Sequence, residues 1–266
     1  MTVIVVGAGI AGLTVARELA GAHVVTVVDR LPAVGGVLGY EDPKVAAAAK
    51  AGRAAGATML LGTTALRWQG GRLLVAGPAG IEWLGADRLV IAAGARPAVA
   101  AELRLAGPRL AGVYPAPLAI HLAEAGVGFG RRACVIGAGD WARRVAGVLE
   151  HRGTEIIGIS TDADADADPG FGASWWAGWT AMELGGVGRV SSLTVVRDGI
   201  RRRIDCDSVV LADGIRPLRN VDGALSDGSG VSFVQPARAS LTADEVIEAA
   251  REAARAMFQP AERTLA

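Results

Sequence analysis

Three glycines and one carboxylate define the chemistry open to this chain. Gly7, Gly9 and Gly12 follow the apolar run Val3-Ile4-Val5-Val6 in the spacing G-x-G-x-x-G, and Asp29 closes a second apolar run, Val24 to Val28. None of these four is an obvious nucleophile or general base. What they offer is main chain: a turn bare of side chains whose N–H groups, at the start of a helix, can surround a diphosphate. Gly7 permits the tight strand-to-helix turn, Gly9 lets a phosphate reach the backbone, and Gly12 lets the helix lie close on the strand. At the end of the neighbouring strand, Asp29 can accept hydrogen bonds from ribose hydroxyls. Strand, fingerprint, helix, second strand and terminal acid occur in the order a dinucleotide site needs. A dinucleotide is therefore the expected ligand, and a glycine-rich turn in some other α/β protein is the alternative.

Gly137-Ala-Gly139-Asp140-Trp141-Ala142 repeats the fingerprint, with alanine at the third position. Asp140 is expected to cap the helix that it opens. The acidic run Thr161 to Pro169 lacks the glycine and terminal glutamate of a calcium loop and reads as a solvated loop. Cys134 and Cys206 are far apart, each in or beside an apolar run. They argue against a disulfide scaffold, an iron–sulfur centre or a zinc site, and read as small core residues. No metal site is expected. His23, His121 and His151 are scattered and read as surface or helix residues. Trp175, Trp176 and Trp179 either roof a small domain or form a partner surface.

The elements that must position these groups can be read from pattern. A helix is expected over about 10–20, another from Pro43 to about Ala55 with proline in its first turn, and a strand over 56–62. Residues 64–84, broken by Gly70-Gly71 and Gly77-Pro78, predict a small antiparallel meander. Leu89 to Pro97 is a buried strand running into a glycine turn. The second half predicts a helix over 115–126, strands over 132–136 and 155–159 flanking a helix to about Arg152, an irregular stretch, and strands over 189–196, 200–205 and 208–212. Thr242-x-x-Glu245 is a capping box opening a last helix to about Phe258.

Two features echo: the fingerprints at Gly7 and Gly137, and the exits Ala92-Ala-Gly-Ala-Arg-Pro97 and Ala212-Asp-Gly-Ile-Arg-Pro217. Tandem copies of one unit explain this. The expected architecture is α/β, with two Rossmann-like dinucleotide-binding domains, the second inserted into the first. The boundaries are expected at 1–103 and 214–266 for the first and 104–213 for the second. The 266 residues carry 27 Lys and Arg against 27 Asp and Glu, so no general attraction to nucleic acid or anionic membrane is expected. No window approaches a membrane span. The chain enters its first strand without a basic leader, so a cytoplasmic location is expected.

VIVVGAGIAG, Asp29-x5-Gly35-Gly36, LVIAAGARP, CVIGAGDWA and VVLADGIRP together resemble the thioredoxin-reductase and pyridine-nucleotide–disulfide oxidoreductase superfamily of flavoproteins. The resemblance implies FAD at the first site. Gly7, Gly9, Ala11 and Gly12 would hold the pyrophosphate, Asp29 and Arg30 the adenosine ribose, with Gly35, Gly36 and Val37 in the same site. The backbone near Ala65 would face adenine, and Ala93 and Gly94 would pass close to the cofactor. It implies NAD(H) at Gly137, Gly139 and Ala142; the acid after the neighbouring strand disfavours NADP. Residues 107–132 are similar to the FAD-bearing subunits of the hydrogen cyanide synthase, opine oxidase and proline or hydroxyproline dehydrogenase group. Those work beside a second flavoprotein dehydrogenase subunit, which is the partner implied here, with a homo-oligomer as the other arrangement. Two features depart from the superfamily: no Cys-x-x-Cys occurs, which excludes its usual dithiol chemistry, and the run Val231 to Pro236 lacks the Gly-Asp whose acid holds the flavin ribityl chain. The expected function is flavin-mediated electron transfer within an amine or amino-acid dehydrogenase. The alternatives are a stand-alone NADH-dependent flavin reductase and a non-catalytic nucleotide-binding assembly subunit.

Overall fold

The computed structural model describes residues 1–163, 174–218, 221–224, 230–234 and 242–257. The chain opens with β1 (Thr2–Val6), α1 (Ile10–Ala20), β2 (Val24–Asp29), α2 (Pro43–Ala54) and β3 (Thr58–Leu61). An antiparallel meander comes next, β4 (Thr64–Gln69), β5 (Arg72–Gly77) and β6 (Gly80–Gly85), and then β7 (Arg88–Ile91). After the short β8 (Ala95–Pro97) come β9 (Val113–Pro115), α3 (Ala116–Glu124), β10 (Arg132–Ile136), α4 (Asp140–His151) and β11 (Glu155–Ser160). Next are β12 (Ser174–Ala177), a second meander of β13 (Thr180–Val187), β14 (Arg189–Arg197) and β15 (Ile200–Asp205), and β16 (Ser208–Leu211). The described chain ends with β17 (Ile215–Pro217), β18 (Val231–Phe233) and α5 (Ala243–Ala256). No helix among the described residues is long and apolar enough to cross a membrane.

The chain divides into two compact units, residues 1–95 with 217–266, and residues 96–216. The first is built on a parallel sheet in the order β18-β7-β1-β2-β3. Val3, Ile4 and Val5 of β1 are essentially fully buried because helices cover one face of the sheet and the meander the other. On the helical face α1 contributes Leu13, Val15 and Ala16, α2 Val45 and Ala49, and α5 Ala250 and Ala254. Start signals are local: Asp42 accepts from the N–H groups of Lys44 and Val45 at 2.8 and 3.2 Å, and Thr242 and Glu245 form the reciprocal capping box. Lys44 Nζ lies 2.7 Å from Asp244 and ties the first turns of α2 and α5 across the surface.

The second unit repeats this plan with a different chain order. Its parallel sheet runs β9-β16-β10-β11-β12, so β10 stands where β1 does, β11 for β2, β12 for β3, β16 for β7 and β9 for β18. The outer strand β9 and its helix α3 come first in this unit, whereas β18 and α5 come last in the other. Cys134, Ile136, Ile159, Val209 and Leu211 face the meander core of Leu184, Leu193, Val195 and Ile204.

Three expectations need correction. The units divide at 95/96 and 216/217, not at 103 and 213. Residues 96–105 belong to the second unit because Ala100, Leu103 and Leu105 pack against its core, Glu102 caps the Val99 N–H at 2.9 Å, and Ala98 N–H donates to Asp213 O at 2.9 Å. Residues 215–216 stay with it through the reach of Arg216 to Glu102. The stretch expected to be irregular holds β12 and β13. Trp175 and Trp176 therefore lie in the edge strand, where Trp175 lies over Gly158 and Trp176 packs on the core with Trp179, ring centroids 5.2 Å apart. The tryptophans pack partly buried on the cores of the second unit; the acidic residues 164–169, and 235–236 of the run lacking Gly-Asp, lie outside the described residues. Asp140 gives α4 no side-chain cap and pairs instead with Arg143.

A Cβ on Gly12 would sit 1.9 Å from the Gly7 carbonyl oxygen. Gly12→Ala should therefore lose about 2 kcal/mol or more in chemical denaturation. The equivalent Ala142 has room for its methyl, and Ala142→Gly should lose only about 1 kcal/mol. Glu102 is held well below the usual carboxylate range, at about 2, first by the hydrogen bonds from Arg96 and then by that from the Val99 N–H. Its folded-state value is depressed, so its stabilisation is complete above 4.5 and is lost as pH falls toward 2. The stability difference between wild type and Glu102→Gln, measured by thermal melts across that range, should shrink in the same interval.

Candidate dinucleotide-binding sites

The first fingerprint contains two kinds of glycine. Gly7, at φ 112°, has its missing Cβ position 2.3 Å from Ala92 O, and Gly12 is pressed on Gly7 itself; both are empty because backbone already fills the space. Gly9 differs. Its φ of −74° and ψ of 177° suit any residue, and a Cβ there would meet nothing within 4 Å. Packing does not demand glycine at this position, and the missing side chain leaves room for a group from outside to reach the backbone.

Gly9 is also the N-cap of α1, and no side chain caps that helix. Leu13 N–H bonds to Gly9 O at 3.0 Å, which leaves the N–H groups of the turn before it for another acceptor. By contrast, α2 and α5 in the same unit carry side-chain caps. Glycine in place of a capping side chain costs only a few tenths of a kcal/mol, so an open helix start is cheap to maintain. The macrodipole favours an anion there.

Asp29 completes the site. One carboxylate oxygen accepts from the Ala8 N–H at 2.6 Å and the other from the Leu31 N–H at 2.8 Å. Each oxygen keeps a lone pair, so the backbone aims the carboxylate without consuming its capacity for hydroxyl donors. Gly35 N–H donates to Ala8 O at 2.8 Å and Gly35 bridges to Gly9, while a Cβ on Gly36 would stand 3.4 Å from Gly9 Cα. Ala93 Cα lies 3.1 Å from the missing Gly7 Cβ. The structure thus gathers Gly7, Gly9, Gly12, Asp29, Gly35, Gly36 and Ala93 around one turn. Ala11 is half-buried in the first turn of α1, and Arg30 is exposed beside Asp29. Val37 comes after Gly36 with 40% exposure. Ala65 is buried in β4, two residues after Thr63, whose N–H donates to Asp29 O at 2.8 Å. Gly94 is exposed and gives its carbonyl to Leu218 N–H at 2.9 Å. This uncapped start with room at Gly9 and an aimed acid fits the diphosphate and ribose of a dinucleotide.

The second turn is built the same way. Gly7 N–H bonds to Val28 O and Gly137 N–H to Ile159 O, each at 2.8 Å; Ala92 N–H bonds to Val6 O and Ala212 N–H to Ile136 O, each at 2.8 Å. Gly139 is an uncapped N-cap in extended conformation, Gly137 has φ 124°, and Ala142 is fully buried. This register makes Ser160 the counterpart of Asp29, a residue the sequence pattern did not single out. Its hydroxyl accepts from Asp162 N–H at 3.1 Å, as Asp29 accepts from Leu31. Only the matching position at the end of a second strand could have marked it. Arg143 pairs with Asp140 and reaches Ala138 O at 3.5 Å, which offsets the carboxylate charge beside the turn. Among the described residues no cluster of His, Cys, Asp and Glu could hold a metal.

The family model of the pyridine nucleotide-disulphide oxidoreductases matches residues 1–165. Comparison with curated proteins finds no significant match. Among solved structures, the chain is similar to T. acidophilum thioredoxin reductase, at 18% identity and TM-score 0.70 over 96% of each chain. It is also similar to Lactococcus lactis thioredoxin reductase, at 16% identity and TM-score 0.71 over 97% of each chain. A water-forming NADH oxidase of Lactobacillus brevis bound to NADH matches at 17% identity and TM-score 0.67, over 98% of this chain and 70% of the other. These identities speak to the fold. With the family match spanning more than half of its length, the chain belongs to the pyridine nucleotide-disulphide oxidoreductases, a family of flavin-dependent oxidoreductases that use FAD and NAD(P)H.

Proposed function

We propose that this chain binds FAD in its first unit and passes electrons within a multi-subunit amine or amino-acid dehydrogenase. The observation that carries the flavin reading is the open, uncapped helix start at Gly9 beside an Asp29 carboxylate aimed by the Ala8 amide. In this reading the main-chain N–H groups from Gly9 to Gly12 hold the diphosphate, and Asp29 accepts from ribose hydroxyls. Gly35 and Gly36 brace the turn from behind. When bound, the flavin supplies hydride and electron transfer at its ring, and the protein supplies position and exclusion of water. The sequence has two cysteines and no Cys-x-x-Cys, so electrons leaving the flavin lack the closely spaced dithiol of thioredoxin reductases. A second flavoprotein dehydrogenase subunit as electron partner, in a cytoplasmic complex, is the reading we favour.

A second reading, a stand-alone NADH-dependent flavin reductase, is favoured by one observation: α4 starts as openly as α1, with Arg143 neutralising Asp140. In that reading Gly137, Gly139 and Ala142 serve the nicotinamide nucleotide, and Ser160 with Asp162 selects NADH over NADPH by offering no cation to a 2′-phosphate. Anaerobic mixing of the flavin-loaded protein with NADH separates the two. An unchanged flavin spectrum supports the subunit role and bleaching supports the reductase; a colourless protein that takes up no FAD, alone or with a partner, contradicts both.

The two kinds of glycine give a sharp test. Gly9→Val should fold with a near-native melting curve and lose FAD affinity by at least about 100-fold, measured by flavin fluorescence. Asp29→Ala should weaken FAD binding and also cost about 1–2 kcal/mol of stability, because two backbone N–H groups lose their acceptor.

A further inference from the structure

The two meanders have edge strands of opposite character. In the second, β15 pairs only with β14 and carries Arg201, Arg202 and Arg203 in succession, all exposed. Charges of this kind keep an edge strand from pairing with another chain. In the first, β6 likewise pairs only with β5, but it reads Gly80-Ile81-Glu82-Trp83-Leu84-Gly85, with Ile81 at 73% and Trp83 at 41% exposure. Leu74 stands opposite Trp83 and Ala76 opposite Ile81, so these four share the outer face of the meander, while Leu73, Val75 and Leu84 pack toward the core. Arg72 lies over the Trp83 ring, 5.3 Å from its centre. The backbone of this edge is open as well. The two-residue turn Pro78-Ala79 makes Gly77 and Gly80 a hydrogen-bonded pair. Alternation along the ladder then turns the N–H and C=O groups of Ile81, Trp83 and Gly85 away from β5. Among the described residues no strand takes them up.

We propose that β6 is the interface of a homodimer, pairing antiparallel with β6 of a second copy and joining the two meanders into one sheet. The strand is complementary to itself. With Trp83 set opposite Trp83 of the second copy, Ile81 of each chain stands opposite Gly85 of the other. All three outward-facing residues then exchange both of their backbone hydrogen bonds across a two-fold axis. A Cβ on Gly85 would meet nothing within 4 Å, so the Ile81 side chain of the second copy has room there. The two indoles meet as a cross-strand aromatic pair and extend the apolar row from Leu74 of one chain to Leu74 of the other. The neighbouring register is worse, because it sets Glu82 directly opposite Glu82 and leaves Gly85 without a partner. The exposed apolar pair Ile81 and Trp83 thus has an occupant of matching shape in a second copy of the same strand. The interface uses none of the residues assigned to flavin or nicotinamide nucleotide, so it stands or falls apart from the proposed function.

Sedimentation velocity of the full chain over a concentration series tests this, with the folding of each variant checked by circular dichroism. Wild type is expected to sediment as a dimer. Trp83→Lys places like charges at the centre of the strand pair, and Gly85→Lys fills the space that Ile81 of the second copy would enter. Both positions are open in a single chain, so each variant should stay folded and sediment as a monomer; should Trp83→Lys fail to fold, Gly85→Lys decides. Glu82→Gln should leave the dissociation constant unchanged, whereas a dimer about 10-fold tighter would mean that Glu82 faces Glu82. A monomeric wild type, a larger assembly, a dimer that survives the lysine at Gly85, or one tightened by Glu82→Gln each overturn the proposal.

Discussion

The helix α1 is pressed so tightly against β1 that the Gly7 carbonyl occupies the space of a Gly12 side chain, and the architecture of the first unit depends on that contact. It fixes where the helix begins and so points the unpaired N–H groups of the turn. Neither end of the turn can relax: Ala92 O closes on Gly7 as the Gly7 O closes on Gly12. Between these two crowded residues Gly9 is left open. Crowded flanks around one open position leave the centre of the turn accessible from outside. The energetic cost of leaving the helix start uncapped is a few tenths of a kcal/mol, small beside the packing of α1 on the sheet.

The same device appears in both units, but the side chains around it differ. In the first, a carboxylate at the end of β2 is fixed by two backbone amides. In the second, a serine at the end of β11 accepts one amide, and an acid in the helical turn is neutralised by Arg143. Equal backbones thus carry unequal polar groups. The element order is permuted between them, with β9 and α3 leading one unit while β18 and α5 close the other.

Much of this was legible in the sequence because it is written in local signals. The strand-fingerprint-helix-strand-acid succession located Gly7 to Asp29, and Asp42-Pro43 and Thr242-x-x-Glu245 marked helix starts that the structure contains. The illegible parts depend on distant partners. The strands β12 and β13 were missed because tryptophans in an edge strand and glycines at Gly185-Gly186 give no clean alternation. The exit motif ends at Pro97 and the first domain was expected to run on to 103, yet Ala100, Leu103 and Leu105 assign the residues beyond Pro97 to the second core. Ser160 emerged only from strand register.

The central claim, that the first turn holds the diphosphate of FAD, is tested most directly by ligand competition in calorimetry. FAD titrated into flavin-free protein should bind at one site per chain in the first unit, and excess ADP, which shares the adenosine and diphosphate, should suppress that heat while riboflavin should not. FAD binding that ADP leaves untouched and riboflavin abolishes, or no FAD binding at all, would contradict the account.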